Sequence, residues 1–307
     1  MAGIEVAVNG QDKMEKYLSF REYYAPATQQ EALQLLLENG PAGRLLAGGT
    51  DLLVAMRDKG LGAERLISIK KISDFGGIGW MPDGGVRIGA TTTLYEVEHS
   101  AAVKRAWPVL SQAAGAIGSV QIRNLGTIGG NVANASPAAD TAPALLVLDA
   151  EMEIVSASGR KIVSADRFFT APGKTVMERG EILAAIRVPP SATGARAAYV
   201  KFAPRQAMDI AVVGVAVALK LDGDGRCREA RVALGAVGPT PMRARGAEAA
   251  LVGEIDERSV ETAAREASAE AKPISDVRAS GSYRRHLVGV LIKRAVKLAL
   301  AREHAAA

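Results

Sequence analysis

In the first quarter of the chain, short apolar runs alternate with segments whose apolar residues recur at helical spacing. Thr28 and Glu31 form a capping-box pattern, and the leucine-rich stretch behind them predicts a helix that stops at residues 39–41, Asn-Gly-Pro. This alternation predicts a small α/β unit. The elements that follow in it are a strand, a helix and a second strand, at residues 44–47, 51–57 and 65–69.

The middle of the chain combines strands with several short helices. Ser136 followed by Pro137 predicts a helix start, with serine as the N-cap and proline in the first turn, and apolar residues at 144–148 give this helix a face to bury. Residues 151–157 and 161–165 predict a β-hairpin. The other elements expected here are strands at residues 86–90 and 182–188 and helices at 94–99 and 108–117.

The segment 191–194, Ser-Ala-Thr-Gly, is typical of a linker, and it predicts a domain boundary near residue 193. The sequence thus predicts an α+β protein, with an N-terminal domain at 17–193 (subdomains 17–75 and 76–193) and a C-terminal domain at 194–304. Beyond the linker the pattern predicts three strands and then three helices, at residues 198–202, 211–221, 227–236, 244–251, 257–271 and 282–302.

Composition and charge are those of an ordinary globular protein, with 48% apolar and 23% charged residues. The net charge of +5 does not indicate a nucleic-acid binder, because the basic residues are scattered and lack interleaved aromatics. One cysteine, Cys227, and three histidines leave no disulfide and no zinc or iron–sulfur ligand set within the chain. We find no signal-peptide pattern and no apolar stretch of membrane-spanning length, and we expect a cytoplasmic protein.

Two glycine-containing loops carry the most specific chemistry. Residues 126–137 hold paired glycines among threonine, asparagine and serine, and residues 47–51 repeat this chemistry upstream. Paired glycines permit a close backbone approach, and a following helix N-terminus attracts anions. The residues alone therefore favour a phosphate-bearing ligand over a structural turn, and we expect both loops to close on one ligand from different sides.

Other candidate motifs fail on their spacing. No Gly-x-Gly-x-x-Gly dinucleotide fingerprint occurs in the chain. The Gly-Lys-Thr at residues 173–175 is not a P-loop, because Phe168 stands where that motif needs its first glycine. Residues 222–225 are better explained as a hairpin turn than as a calcium loop, because Ala233 stands where the loop needs a glutamate.

Seven segments, spread in order over nearly the whole chain, carry a family resemblance: 47–53 (AGGTDLL), 121–131 (QIRNLGTIGGN), 136–140 (SPAAD), 199–202 (YVKF), 206–211 (QAMDIA), 235–241 (GAVGPTP) and 275–280 (SDVRAS). Together they resemble the FAD-binding subunit of the molybdenum hydroxylases, the family of xanthine dehydrogenase and aerobic carbon monoxide dehydrogenase. The resemblance implies a two-part FAD-binding domain of the vanillyl-alcohol oxidase type, followed by the C-terminal domain of the carbon monoxide dehydrogenase flavoproteins.

The resemblance also assigns cofactor contacts. It implies that Asp140 hydrogen-bonds the FAD ribose. Ile117 stands where xanthine dehydrogenases carry a phenylalanine over the flavin ring, so no aromatic stack is expected there. Tyr199 either packs on the ring or is a strand residue of the domain interface. The other implied contacts are Leu45, Leu46, Ala47, Gly48, Gly49, Thr50 and Asp51 in the first loop, Gly126, Thr127, Ile128, Gly129, Gly130 and Asn131 in the second, and Leu183 and Lys201 near the isoalloxazine.

The resemblance implies an electron-transfer oxidoreductase subunit with no catalytic residue or metal of its own. A molybdenum-cofactor large subunit would oxidise the substrate, and a 2Fe-2S small subunit would pass electrons to FAD, in a dimer of heterotrimers that serves an external acceptor. The lone cysteine agrees, because this chain lacks the ligands for its own clusters. Two alternatives are a stand-alone flavin oxidoreductase and a scaffold that has lost its cofactor; the absence of an evident catalytic base opposes the first, and the intact glycine loops oppose the second.

Overall fold

The computed structural model of the chain describes residues 20–301. The predicted domain limits at residues 17 and 304 lie outside this range. Three main sheets, each with its own helices, follow one another along the chain. None of the helices within residues 20–301 is long and apolar enough to cross a membrane.

The first unit is the small α/β layer that the alternating pattern predicts. Its elements are β1 (Glu22–Tyr24), α1 (Gln29–Asn39), β2 (Gly43–Leu46), α2 (Leu52–Lys59) and β3 (Arg65–Ser68). The strands form a parallel sheet of order β1–β3–β2. Thr28 accepts a hydrogen bond from the N–H of Glu31, and the Glu31 carboxylate accepts one from the N–H of Thr28, which confirms the predicted capping box.

The second unit holds a five-stranded antiparallel sheet. Its strands are β4 (Ile78–Trp80), β5 (Val86–Gly89), β6 (Glu151–Ser156), β7 (Gly159–Ser164) and β10 (Ile182–Val188), with a small separate pair β8 (Phe169–Ala171) and β9 (Lys174–Thr175). Its helices are α3 (Leu94–His99), α4 (Ala101–Ala106), α5 (Pro108–Gly115), α6 (Val120–Leu125), α7 (Ile128–Ala133), α8 (Thr141–Val147) and α9 (Ala165–Phe168). The strand order is β4–β5–β10–β6–β7, and β6 and β7 form the predicted hairpin.

The predicted helix start at Ser136 is wrong. Ser136 lies in a turn, where its hydroxyl accepts a hydrogen bond from the N–H of Ala138, and α8 begins only at Thr141. The glycine loop instead contains the short helix α7, which the low helix propensity of Gly-Gly hides in the sequence. Ala135 follows α7 with a φ of 48°, in the left-handed region, and this turn reverses the chain before Ser136.

The C-terminal unit is a four-stranded antiparallel sheet covered by helices on one face. Its elements are β11 (Arg196–Phe202), β12 (Val213–Leu221), β13 (Cys227–Gly235), β14 (Met242–Arg243), α10 (Arg245–Ala250), α11 (Glu257–Glu270) and α12 (Gly281–Leu300). Along β12, Val213, Val215 and Val217 join the apolar core formed with α11 and α12. The intervening small residues Ala216 and Ala218 belong instead to the core of the second unit.

Helix α8 joins the second and C-terminal units. All of its residues are buried, and it packs against β12 and β13. The two units approach closely here, since a Cβ on Gly235 would lie only 2.8 Å from the Pro143 ring. Arg243 of β14 reaches back to Asp149 with an N–O distance of 3.2 Å. The C-terminal unit is therefore packed tightly against the unit that contains the glycine loop.

Candidate cofactor site

A cavity of about 640 Å³ lies where the three units meet. This volume falls within the range of roughly 300–1,000 Å³ that is usual for cofactor sites. The two glycine loops line it from different sides, as the sequence predicts. Every predicted cofactor contact lines the cavity except Leu46, Ile128, Tyr199 and Lys201.

Those four residues lie behind the cavity wall. Leu46 packs beside Met56 in a small apolar cluster under α2, and Ile128 is fully buried in the core of the second unit. Tyr199 and Lys201 lie on β11 and reach Asp140, which does line the cavity. The expectation that Tyr199 packs on a flavin ring therefore has no support in its position, since its ring is buried in the domain interface.

The two loops touch at Gly48. A Cβ at this position would lie 2.2 Å from the carbonyl oxygen of Leu125 and 2.7 Å from the Cα of Gly126. Such distances exclude any side chain, so glycine is required here by the contact between the loops rather than by a ligand.

The second loop is fixed along the end of β5. The N–H groups of Ile128 and Gly129 donate to the carbonyls of Thr92 and Ala90, and the N–H of Gly130 donates to the Thr127 hydroxyl at 3.0 Å. The helix N-terminus that the sequence predicts at Ser136 does not form there, and α7, which occupies the loop instead, uses its first N–H groups within the protein. A Cβ on Gly130 would meet only the Thr127 hydroxyl, so Gly130 keeps the cavity open on this side.

The first loop supplies the unpaired donors. Within residues 20–301, no hydrogen bond is made by the N–H groups of Gly48, Gly49, Thr50 or Asp51, and all four residues line the cavity just before α2. Consecutive N–H groups before a helix form a site for an anion, and Gly49 adopts a φ of 75° that only glycine takes readily. The first loop therefore offers free N–H donors to an anion in the cavity.

Side chains of the second loop and of β2 add further hydrogen-bond donors to the cavity. The carbonyl of the Asn131 amide accepts a hydrogen bond from Thr141 at 2.5 Å, so its NH₂ group is directed away from that contact. Asn131 and Asn134 line the cavity, and no partner of either NH₂ group occurs in the described residues. Arg44 of β2, which sequence reasoning missed, also lines the cavity. The sequence gives little indication that Arg44 belongs to the site, because a single arginine in a short strand is usually a solvated surface residue.

Two acidic residues at the cavity have perturbed acidities. Loss of surrounding water raises the pKa of Asp51, and the nearby Lys59 opposes this shift. Burial raises the pKa of Asp140, while the Lys201 ammonium and the Tyr199 hydroxyl oppose it. Burial has removed water from both carboxyl groups. A ligand hydroxyl in the cavity would donate the hydrogen bond that water no longer supplies.

Apolar side chains also line the cavity. Ile117 and Leu183 are among them, and Leu183 stands where the pairing of β10 with β6 shifts register before Ala185. The loop 208–210 of the C-terminal unit, which includes Asp209, belongs to the same lining, and the N–H of Met208 donates to the carbonyl of Gly118. Sequence reasoning missed this loop as a wall of the site, although it lies within one of the segments that carried the resemblance.

Family models match nearly the whole chain in two blocks. Residues 17–191 match the FAD-binding domain in molybdopterin dehydrogenase, and residues 175–299 match the carbon monoxide dehydrogenase flavoprotein C-terminal domain. These matches confirm the resemblance stated from the sequence and the two-domain α+β fold that it implies. Within the described residues, no group of His, Cys, Asp and Glu could hold a metal ion.

Individual relatives agree with the family models. The xanthine dehydrogenase FAD-binding subunit of Escherichia coli O157:H7 is 36% identical over 284 residues, which are 92% of this chain and 97% of that one. The carbon monoxide dehydrogenase medium chain of Hydrogenophaga pseudoflava is 36% identical over 283 residues, with the same coverage of 92% and 97%.

Solved structures give the same result in three dimensions. A carbon monoxide dehydrogenase from Hydrogenophaga pseudoflava that lacks the Mo-pyranopterin moiety of its molybdenum cofactor has a chain similar to this one. The TM-score is 0.88 at 36% identity, over 92% of this chain and 98% of that one. Quinoline 2-oxidoreductase from Pseudomonas putida 86 is similar with a TM-score of 0.86 at 31% identity, over 92% and 98%.

Proposed function

The chain belongs to the family of FAD-binding medium subunits of xanthine dehydrogenases and carbon monoxide dehydrogenases, and from this membership we propose that it is the electron-transfer subunit of a cytoplasmic molybdenum hydroxylase complex. In this proposal a 2Fe-2S small subunit delivers electrons to FAD, and a molybdenum-cofactor large subunit oxidises the substrate. The three chains form a heterotrimer that pairs into a dimer of trimers. An external acceptor then removes the electrons.

The observation that carries the proposal is that one cavity is lined by both kinds of group that FAD requires. The lining holds the free N–H groups of residues 48–51 and also the apolar side chains of Ile117 and Leu183. FAD needs both, because its central diphosphate is charged and the dimethylbenzene part of its ring system is apolar. The donors and the apolar side chains therefore fit different parts of one molecule.

We assign the diphosphate to the first loop. The free N–H groups of residues 48–51 can donate to phosphate oxygens, and the dipole of α2 favours negative charge at the same place. The NH₂ group of Asn131 and the Arg44 guanidinium are within the same cavity and can add charge-assisted hydrogen bonds. Thr127 acts indirectly here, because its hydroxyl holds the N–H of Gly130 and so fixes the turn around the cofactor.

We assign the flavin ring to the part of the cavity that is lined by Ile117, Leu183 and the loop 208–210. Aliphatic side chains exclude water from a ring face without stacking on it, so the ring edge stays accessible to a partner or an acceptor. FAD supplies both one-electron and two-electron chemistry when bound. The protein supplies its binding, its orientation and its shielding.

Two features separate this role from direct substrate oxidation. No histidine or cysteine occurs among the described residues that line the cavity, so none of them offers a general base of that kind or a point of covalent flavin attachment. The relatives are named as medium chains or FAD-binding subunits, names that refer to enzymes with further chains. We therefore place substrate oxidation on a partner subunit.

The electron route can be tested with separately purified chains. We expect the visible flavin bands of this chain to bleach when the dithionite-reduced iron–sulfur partner is added under anaerobic conditions, after excess dithionite has been removed. The oxidised partner is the matched control and should cause no bleaching. Turnover of a small organic substrate by the isolated chain, without any partner, would support a stand-alone oxidoreductase and contradict the proposal.

A further inference from the structure

Three residues form a charged network between the second and C-terminal units. Asp140, which lines the cavity, accepts a hydrogen bond from the Tyr199 hydroxyl at 2.6 Å on one carboxylate oxygen and from the Lys201 ammonium at 2.9 Å on the other. Asp140 precedes α8, whereas Tyr199 and Lys201 lie on β11. We call these residues the interdomain triad.

The triad has little freedom to rearrange. Asp140 and Tyr199 are only 6% and 8% exposed. The Tyr199 N–H is held by the Gln112 side chain, and the Lys201 ammonium also donates to the carbonyl of Ala116. A Cβ on Gly214 would lie 2.7 Å from the Tyr199 hydroxyl, so the strand beside Tyr199 encloses it closely. The two donors are therefore fixed before any ligand arrives.

The hydrogen-bonding capacity of the carboxylate is only partly used. A carboxylate offers about four acceptor positions, and the triad occupies one on each oxygen. The remaining positions are available to hydroxyl donors in the cavity that Asp140 lines. A buried carboxylate without a cation would be neutralised by a proton, and the Lys201 ammonium opposes that.

We propose that Tyr199 and Lys201 are positioning residues, which hold Asp140 as an oriented, ionised acceptor for ribose hydroxyls of FAD, so that the C-terminal domain controls how tightly the FAD-binding domain retains its cofactor. The inference rests on the proposed function, since it takes FAD as the ligand. It gives Tyr199 and Lys201 a role through Asp140 instead of a direct contact with the flavin.

The test measures FAD affinity of the full-length chain, stripped of flavin and titrated with FAD by fluorescence. We expect Lys201→Met to raise the Kd for FAD about tenfold or more, the effect of losing a hydrogen bond to a charged group. Tyr199→Phe, which removes one oxygen and keeps the ring, should raise it severalfold. In an Asp140→Asn background, Lys201→Met should cause no further loss, because it acts through that carboxylate.

The pH dependence gives a second readout. Tyr199 and Lys201 are the ionisable side chains that the described structure shows bonded to Asp140. Without the ammonium the carboxylate takes up a proton more easily. The fall of FAD affinity on acidification should therefore occur at higher pH in Lys201→Met than in the wild type. A role in packing alone would leave this pH dependence unchanged.

Arg243→Met is the matched control. Arg243 also pairs with a carboxylate of the second unit, Asp149, and its side chain is only 8% exposed, but it does not line the cavity. This variant should lower the melting temperature and leave the Kd for FAD unchanged. An equal loss of FAD affinity in Arg243→Met and Lys201→Met, or unchanged affinity in Tyr199→Phe and Lys201→Met, would overturn the inference. Failure of the wild-type chain to bind FAD would instead overturn the proposed function.

Discussion

Replacing Gly48 with alanine is expected to push the two cofactor loops apart. The new Cβ would lie 2.2 Å from the Leu125 carbonyl oxygen, about 1.2 Å inside the 3.4 Å at which ordinary contact begins. The Gly126 Cα would be 2.7 Å away. Both neighbours are backbone atoms of a loop that is itself hydrogen-bonded to residues 90–94, so no side chain can turn aside to relieve the collision.

The expected cost follows from this collision. Overpacking by a methyl group destabilises proteins by about 1–3 kcal/mol, and a clash with two backbone atoms belongs at the upper end. A loss of about 3 kcal/mol corresponds to a fall of about 5 °C in the melting temperature, because the unfolding entropy of a 307-residue chain is about 0.6 kcal/mol/K. Because the first loop carries the free N–H donors, its displacement should also remove FAD.

Gly130 gives the matched comparison. A Cβ there would meet only the Thr127 hydroxyl at 3.0 Å, and alanine is favoured over glycine within α7 by about 0.5–1 kcal/mol. Gly130→Ala should therefore be close to neutral in stability, whereas Gly130→Leu should fill the cavity and exclude FAD while the fold persists.

The assay combines thermal unfolding of the flavin-free chain with the FAD content of the purified chain. We expect Gly48→Ala to lower both values and Gly130→Leu to lower only the second. An unchanged melting temperature for Gly48→Ala would refute the loop contact. Full FAD content in Gly130→Leu would refute the assignment of this cavity to the cofactor.

Three further predictions concern the elements that support the site. The backbone N–H of Arg278 and the Arg284 guanidinium hold the pKa of Asp276 at about 2, below its unfolded value, so the stabilisation from these contacts is present above about pH 4 and lost as pH falls toward 2. Asp276→Asn should remove this acid dependence in unfolding experiments. Thr127→Ala removes the N-cap of α7, and it should lower the free energy of unfolding by about 1 kcal/mol and weaken FAD binding. Thr93→Ala removes a cap outside the cavity and should lower stability alone. Leu145→Ala in the buried helix α8 should lower the free energy of unfolding by about 2–5 kcal/mol. Calorimetry should show one unfolding transition at a lower temperature, because α8 supports both units, and two separate transitions would contradict this.

The local elements could be predicted because their signals lie within a few residues. The capping box at Thr28 and Glu31 and the hairpin at residues 151–165 depend on neighbouring side chains alone, and both form as predicted. The Ser136–Pro137 pattern also depends on neighbouring residues alone, but the helix start that it predicts is wrong, because the left-handed turn at Ala135 changes the direction of the chain just before it. Local patterns thus hold only where no tertiary constraint competes.

The sequence predicts most of the residues that line the site, but it does not predict which of their hydrogen-bond donors stay free. Both loops line one cavity, yet the helix N-terminus predicted at Ser136 does not form there, and the N–H groups of residues 128–130 are used within the protein. Which donors stay free depends on the pairing of residues 126–129 with residues 90–94, and no local pattern encodes that pairing. The positions of Tyr199 and the loop 208–210 depend likewise on how the C-terminal unit docks.

The claim that this chain holds FAD is tested most directly by the flavin content of the chain purified together with its partner subunits. We expect a yellow protein with the two visible bands of an oxidised flavin, and release of close to one FAD per chain on acid extraction. The extracted cofactor should be FAD and not FMN, because the free donors of residues 48–51 lie where a diphosphate is expected. A complex that contains this chain in folded form but no flavin, or only FMN, would contradict the assignment.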